Sequence, residues 1–250
     1  MAMHPQLALA LANQNALKVI SGLNNFDIDR VCQIVRAAEV GGATFVDIAV
    51  KPELVTAVRK LTKLPICVSA VDPKLFVRAV KAGADLIEIG NFDSFYGQGI
   101  RFEAEEVLAL TKQTRSLLPN ITLSVTVPHI LPLDEQVDLA QSLVSAGANI
   151  IQTEGGTSTN PQSPGVHGLI EKAAATLAAA HSISRAVDIP VLCASGLSSV
   201  TVPMAIAAGA SGVGVGSAIN QLNDSVAMVA AVRALVESLP VTATSRSFSS

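Results

Sequence analysis

A short pattern that occurs four times constrains the fold of this 250-residue chain more than any other feature. Each copy consists of Gly-Ala, one polar residue and a mainly apolar run, and each follows a stretch whose apolar residues have helical spacing. The copies begin at Gly42, Gly83, Gly147 and Gly209. The glycine suits a helix C-terminus, where φ is positive, and the apolar run is typical of a buried parallel strand. The repeat therefore predicts four helix-to-strand units.

A second pattern, Leu-Pro or Ile-Pro before a further strand-like run, alternates with the first at Leu64, Leu118 and Ile189. Proline is tolerated just before a strand, where no ladder donor is lost. With the run 17–21 in front, the count is eight strands. Helices are predicted between and after them, over 27–39, 52–61, 73–82, 103–118, 134–146, 169–187, 200–208 and 217–239.

Eight strands alternating with eight helices in about 250 residues predict a single α/β domain, a (β/α)8 TIM barrel, over residues 1–239. A doubly wound open sheet is the alternative, but it does not explain the repeat. The Ser/Thr-rich segment 240–250 is interpreted as a flexible C-terminal tail.

Composition excludes several classes of function. Half of the residues are hydrophobic, 15% are charged and the net charge is −3, which argues against nucleic-acid partners and acidic membrane surfaces. The three cysteines form no CxxC pair, which indicates a reducing compartment. No secretory signal is evident at the start. The uncharged run 189–223 contains two prolines and five glycines, so we predict no membrane span.

Superposing the repeats predicts which side chains face the barrel interior. Five residues after each glycine lie Asp47, Glu88, Gln152 and Gly214, and barrel interiors are built from layers of four such residues. Buried carboxylates need a cation, and Lys18 on the first strand is the nearest candidate. Lys18 is therefore either an interior salt-bridge partner or a base or Schiff-base amine activated by burial. Asp47 and Glu88 likewise have both a structural and a catalytic interpretation.

The next layer, two residues further along, consists of Ala49, Gly90, Glu154 and Gly216. Three small residues and one glutamate predict a cavity near the C-terminal mouth with a single acid on its wall. The candidate catalytic residues are thus Glu154 and the three interior residues Lys18, Asp47 and Glu88.

Glycines cluster where the seventh and eighth strands end. In TIM barrels the loops after these strands often hold a phosphate through main-chain N–H groups. The predicted phosphate-binding residues are Ser195, Gly196, Gly214, Gly216 and Ser217, with the helix that starts near Ser217 directing its positive end at the same place. The alternative is that these glycines only permit close helix–sheet packing.

Other loops at the same end of the barrel contribute further candidate residues. Possible mouth or lid residues are Asn24, Asn91, His129, Gly155, Gly156 and Thr157. The loop 91–102 holds half of the eight aromatic residues, which could stack on a planar ligand such as a flavin or cap the core. The histidines show no metal-binding spacing, so we predict no metal site.

Two resemblances bear on function. "GASGVGVGSAI" and "PVLCASG" resemble the phosphate-binding barrels, such as tryptophan synthase alpha subunits and thiazole synthases, and the five predicted phosphate-binding residues match that motif. "NALKVISGLNNFD", "GADLIEIGNFDSFYGQG" and "NITLSVTVPHILPLDEQV" resemble the ycf-type hypothetical chloroplast reading-frame family of cyanobacteria and plastids. The second resemblance covers roughly residues 3–223. It implies a barrel in a bacterial cytosol or plastid stroma but no particular reaction.

Three functions fit the sequence. The first is a lyase, isomerase or synthase that binds a small phosphorylated metabolite at the C-terminal mouth. The second is an oxidoreductase whose FMN cofactor places its phosphate in the same loops. The third is a non-catalytic metabolite-binding protein, whose apolar composition and aromatic loop would suit the interface of a homo-oligomer. The fold does not choose among them.

Overall fold

A computed structural model describes residues 3–156 and 159–241. Within them, eight parallel strands pair in chain order, and β1 also pairs with β8, so the sheet closes into a barrel. The (β/α)8 TIM-barrel prediction is confirmed, and closure excludes the open sheet. The strands are β1 Ala16–Ile20, β2 Phe45–Ala49, β3 Ile66–Ala70, β4 Leu86–Ile89, β5 Thr122–Thr126, β6 Ile150–Gln152, β7 Val191–Ala194 and β8 Gly212–Val215.

Helices follow the strands and cover the outside of the barrel. They are α1 Pro5–Ala12, α2 Ile28–Gly41, α3 Pro52–Leu61, α4 Pro73–Lys81, α5 Asp93–Tyr96, α6 Ala104–Leu117, α7 Leu133–Ser145, α8 Gly165–Ile183, α9 Val202–Ala207, α10 Ser217–Asn220 and α11 Ser225–Glu237. All four repeat glycines have φ between 91° and 112°, as their position at helix ends requires.

The prediction of one continuous helix over 217–239 is wrong. The segment forms a single turn, α10, and then a separate helix, α11. Asp224 begins α11, since its side chain accepts a hydrogen bond from the amide of Ala227. The Arg30 guanidinium donates to the carbonyl groups of Asn220 at 2.7 Å and Leu222 at 2.5 Å, which fixes the connection between the two helices.

Helix α1 was not predicted from the sequence, in which large leucine and small alanine residues alternate with the period of a strand. It packs Leu7 and Leu11 against Phe45 and Leu86 at the bottom of the barrel. This end is therefore closed, and a ligand has to enter from the other end. None of the helices within the described residues is both long and apolar enough to cross a membrane. Of the predicted tail, residues 242–250 lie outside the described part of the chain.

Candidate functional site

A fully buried polar cluster fills the middle of the barrel. The Lys18 Nζ lies 2.9 Å from Asp47 Oδ2, 2.7 Å from Glu88 Oε2 and 2.9 Å from Gln152 Oε1. An ammonium group has three N–H donors, so each finds one acceptor. Burial opposes the charged form, but the carboxylates of Asp47 and Glu88 outweigh it and raise the pKa of Lys18. The amine is thus held as a cation.

The carboxylates of this interior cluster are also satisfied. Glu88 accepts from Gln152 Nε2 at 2.8 Å and from the Ser124 hydroxyl at 2.8 Å, and Asp47 accepts from the Ser69 hydroxyl at 2.6 Å. Burial raises the pKa of Glu88, and the charge of Lys18 opposes that shift. The structure therefore brings together the predicted partners Lys18, Asp47 and Glu88. Their catalytic role stays a prediction.

Above this cluster, a cavity of about 320 Å³ opens at the C-terminal mouth. Gln152 forms part of its floor, and the loops after β1, β4, β6, β7 and β8 form its walls. The lining includes the predicted residues Asn91, Glu154, Ser195, Gly196, Gly216 and Ser217. A cavity is thus present where the sequence predicted one.

Glu154 is buried in the cavity wall and holds several loops together. Its Oε1 accepts from the Tyr96 hydroxyl at 2.6 Å and from the main-chain N–H of His129 at 3.2 Å, and lies 3.3 Å from the His129 ring. Its Oε2 accepts from the amide of Asp93 at 3.0 Å. Each of these bonds is strengthened by the negative charge of the carboxylate.

The carboxylate of Glu154 also changes how its neighbours titrate. Burial lowers the pKa of His129, but the hydrogen bond and charge of Glu154 outweigh it, so the net pKa is raised. Burial and the Glu154 charge both raise the pKa of Tyr96, which therefore remains a hydroxyl donor. Glu154 and His129 thus form a close pair at the mouth, which becomes an ion pair when His129 is protonated.

Two details of the predicted mouth layer are wrong. A Cβ on Gly90 would overlap the side chain of Thr126, so this glycine makes room for a threonine and leaves no empty space. The cavity wall also carries a second acid, Asp93, beside Glu154. Asp93 lies in the aromatic loop 91–102. No motif or residue spacing in the sequence identifies it as a cavity residue.

The turn after β7 has a strained backbone, and its serine hydroxyl is already hydrogen-bonded within the protein. Ser195 and Gly196 have φ of 77° and 74°, and Ser195 is one of three non-glycine residues with positive φ among the described residues. The Ser195 hydroxyl accepts from the amide of Gly156 at 2.8 Å and donates to Asp93 Oδ2 at 3.3 Å. This hydroxyl is therefore already used within the protein. Strain of this kind is found preferentially at functional sites.

The main chain of the two glycine turns is better placed to bind a ligand. The amides of Gly196, Gly216 and Ser217 donate to no acceptor among residues 3–156 and 159–241. Gly214 lies one layer deeper, within the ladder between β1 and β7. A Cβ there would lie 2.9 Å from the Cβ of Ala194, so close packing explains this glycine.

The remaining predicted mouth residues lie in different places. Gly155 and Gly156 pack beneath the mouth, against His129 and Gly196 respectively. Asn24 is exposed and does not line the cavity. Thr157 lies outside the described residues. The helix expected to direct its positive end from Ser217 begins there but has only one turn, so its dipole contributes little.

The aromatic loop caps the core. The rings of Phe92 and Phe102 are 4.5 Å apart, those of Phe95 and Phe102 are 5.6 Å apart, and Tyr96 packs on His129 at 5.2 Å. No aromatic ring lines the cavity within the described part of the chain. The interpretation in which these rings stack on a planar ligand therefore has no support here. The described residues also contain no group of three His, Cys, Asp or Glu placed to hold a metal ion.

Eight parallel strands that close into a barrel, with helices between them, define the class: a (β/α)8 barrel. Similar solved structures include 3-hexulose-6-phosphate synthase, with a TM-score of 0.63, 19% identity, and 90% of this chain and 100% of that chain covered. Thiamine phosphate pyrophosphorylase from Pyrococcus furiosus has a TM-score of 0.60 and 18% identity, with 91% and 96% covered. At such identity these likenesses show the fold.

The particular family follows from the sequence comparison. The chain belongs to the family described as "Protein of unknown function (DUF561)", whose model matches residues 3–245. Its relatives include Uncharacterized protein ycf23 of Cyanophora paradoxa, 50% identical over 192 residues, with 76% of this chain and 79% of the relative covered. The same protein of Porphyra purpurea is 43% identical over 188 residues, with 75% and 71% covered. The predicted ycf-type resemblance is confirmed.

Proposed function

We propose that this protein is an enzyme of the lyase, isomerase or synthase type that binds a small phosphorylated metabolite in the mouth cavity. One observation carries the proposal. The cavity has main-chain N–H groups without an acceptor on its β7–β8 side, and a buried carboxylate paired with a histidine on its β6 side. The first feature suits an anion, and the second suits proton transfer beside it.

The phosphate would be held by the main chain. Gly196, Gly216 and Ser217 supply N–H groups, and the exposed hydroxyl of Ser217 adds another donor. Among the described residues no Lys or Arg lines the cavity, so these donors would carry the binding. Ser195 and Gly214 would support the turns from behind, through hydrogen bonds and close packing.

Proton transfer would belong to Glu154 and His129. The His129 ring lies 3.3 Å from Glu154 Oε1, which allows the pair to share a proton. Tyr96 orients the carboxylate from the other side. We assign Lys18, Asp47 and Glu88 a supporting role. Lys18 and Glu88 reach the cavity through Gln152, whose amide they fix at both ends, and Asp47 joins them through Lys18.

The anchor can be tested by NMR titration of the ¹⁵N-labelled full chain with inorganic phosphate. We expect the amide signals of Gly196, Gly216 and Ser217 to shift together with one dissociation constant. Ser217→Asp places a negative charge at the anchor and should weaken phosphate binding by about tenfold or more. Ser217→Asn, of the same size but neutral, is the matched control and should retain most of the affinity. Shifts confined to other regions, or equal affinity in the two variants, would contradict the proposal.

The compartment is part of the same proposal. Resemblance to cyanobacterial and plastid reading frames supports a bacterial cytosol or plastid stroma. Immunoblotting of stromal, thylakoid and envelope fractions from an alga that carries this family is a direct test, and recovery with the membranes would contradict it.

A further inference from the structure

We propose that the metabolite is the phosphate ester of a short hydroxylated carbon chain, that is, a polyol or sugar phosphate. This inference rests on the proposed phosphate anchor and adds what the opposite wall of the cavity recognises. The reacting part of the ligand would lie at the loop after β4, with its hydroxyl groups bound by Asn91 and Asp93.

Barrel geometry sets which groups face each other. In the ring of eight strands, β4 and β8 are four positions apart, so the loops that follow them lie on opposite sides of the mouth. The β8 turn carries the phosphate anchor. The β4 loop contributes Asn91, Asp93 and Ser94 to the cavity lining. A ligand held by its phosphate therefore extends towards an amide, a carboxylate and a hydroxyl.

A hydroxyl group matches this wall because it both donates and accepts a hydrogen bond. Asn91 Nδ2 is a buried donor with no acceptor among the described residues, and Asp93 is a buried carboxylate two positions along the chain. A carboxylate accepts up to about four hydrogen bonds, so Asp93 can bind the Ser195 hydroxyl and a ligand at the same time. Binding a ligand through this donor would require the Asn91 amide to turn towards the cavity that the residue lines.

Asn91 is also conformationally strained, with φ of 62°. Asparagine tolerates this region better than most side chains, but glycine would adopt it more easily. The chain thus has a strained asparagine with an unmatched donor at the cavity wall. Unmatched buried donors are rare in proteins, and a ligand partner would account for this one.

A second amide, on the phosphate side, shows the same feature. Asn220 donates from Nδ2 to the carbonyl of Ile20 at 2.8 Å, while its Oδ1 is buried without a donor among the described residues. The apolar side chains of the lining are those of Ile20, Leu23, Ala194 and Leu197, and none of them is aromatic. A volume of about 320 Å³ is at the lower end for ligand pockets, which favours a short polar chain over a prenyl group or a fused ring.

The test compares matched ligands on the full chain by calorimetry. Glycerol 3-phosphate is paired with propyl phosphate, and ribitol 5-phosphate with pentyl phosphate, so that each pair differs only in hydroxyl groups. We expect the hydroxylated member of at least one pair to bind about tenfold tighter, as two added hydrogen bonds would give. Asn91→Gly keeps the positive φ, removes the amide donor and should reduce this preference severalfold, with inorganic phosphate affinity unchanged.

The chain supplies a control for the glycine substitution. Gln14 has φ of 55° at the closed end of the barrel, so Gln14→Gly relieves similar strain away from the cavity and should leave the preference intact. Equal binding within both pairs, with the Gly216 amide still shifting, would overturn this inference and leave the phosphate anchor standing. A preference that survives in Asn91→Gly would overturn the assignment to the β4 loop. Absence of any binding by phosphate or its esters would remove both proposals.

Discussion

Two polar clusters lie one above the other along the barrel axis. The interior cluster combines two carboxylates with one basic side chain, and the mouth cluster combines one carboxylate with one basic side chain. The interior cluster of Lys18, Asp47 and Glu88 is sealed, and its ammonium group meets three acceptors. The mouth cluster of Glu154 and His129 borders a cavity. The two clusters share most of their chemistry and differ in their access to a ligand.

The two regions differ in how many of their polar groups have hydrogen-bond partners and in the strain of their backbone. The interior ion pairs have regular strand backbone around them. The mouth has positive φ at Asn91 and Ser195, and amide side chains with unmatched atoms at Asn91 and Asn220. A site that must bind a ligand keeps polar groups available for it, whereas a structural cluster pairs them internally. This difference supports the proposal that the chemistry takes place at the mouth and that the interior cluster has a structural role.

The largest effect should come from breaking the interior cluster. Lys18→Met leaves two buried carboxylates without their cation and should lower the free energy of unfolding by about 3–5 kcal/mol. Denaturant unfolding followed by circular dichroism measures this change. The triple variant Lys18→Met, Asp47→Asn, Glu88→Gln removes the uncompensated charges and should recover a large part of the loss. A change below about 1 kcal/mol in Lys18→Met would show that the interior is not sealed.

One substitution made at two glycines of the predicted mouth layer tests which of them faces free space. Gly90→Ala would overlap Thr126 at φ of 150° and should cost about 2–3 kcal/mol of unfolding free energy. Gly216→Ala has φ of −120° and its nearest contact is the Ile20 carbonyl at 3.3 Å, so it should cost less than about 1 kcal/mol. Similar losses of unfolding free energy in Gly90→Ala and Gly216→Ala would contradict the conclusion that the space beside Gly90 is filled and that beside Gly216 is not.

A smaller effect is expected from the support of Glu154. Tyr96→Phe removes a 2.6 Å hydrogen bond to the carboxylate and should lower the unfolding free energy by about 1–2 kcal/mol. Phe95→Leu, in the same helix but against the core ring of Phe102, is a comparison variant that leaves the carboxylate contact in place. Only Tyr96→Phe should also shift the His129 ring signals in the NMR spectrum.

The smallest expected effect is a change of stability with pH. The folded-state pKa of His129 is raised above the unfolded value of about 6.5, so protonated His129 stabilises the fold below that pH. This contribution is lost as pH rises through the folded-state pKa. Glu154→Gln removes the negative charge that helps to raise it, so the His129 pKa should fall and the pH dependence should flatten. Exposed Glu135→Gln is the control, and a His129 pKa that is the same in both variants would contradict the ion pair.

Sequence patterns were sufficient for the barrel because the repeat encodes it locally. Positive φ at the four Gly-Ala glycines and buried runs after them are determined by nearest neighbours, and so are the helix faces between them. The contacts of Lys18 with Asp47 and Glu88 could also be predicted. The superposed repeats place both carboxylates in the interior, and few cations are available there to pair with them. Helix α1 was missed because its alternating leucines and alanines have the period of a strand.

The mouth could be predicted only in part, because its contacts join loops that are far apart in the chain. Asp93 lies 61 residues from Glu154, and the Ser195 hydroxyl is taken up by Gly156 and Asp93. No local spacing reports such contacts. The role of Gly90 was misjudged for the same reason, since the space beside it belongs to Thr126 on the next strand. Loop conformation decides these points, and loops follow tertiary packing more than propensity.

The direct contact between Gly156 and Gly196 has a consequence for how the protein works. At both positions a side chain would collide with the backbone of the other loop, so the segments after β6 and β7 are joined along their main chains. The Ser195 hydroxyl reinforces this seam by accepting from the Gly156 amide. The two segments must therefore move as one unit. Any change in the width of the cavity entrance would come from the loops after β1, β4 and β8. In a mutational library these two glycines should tolerate substitution poorly, because a side chain on either one would collide with the backbone of the other.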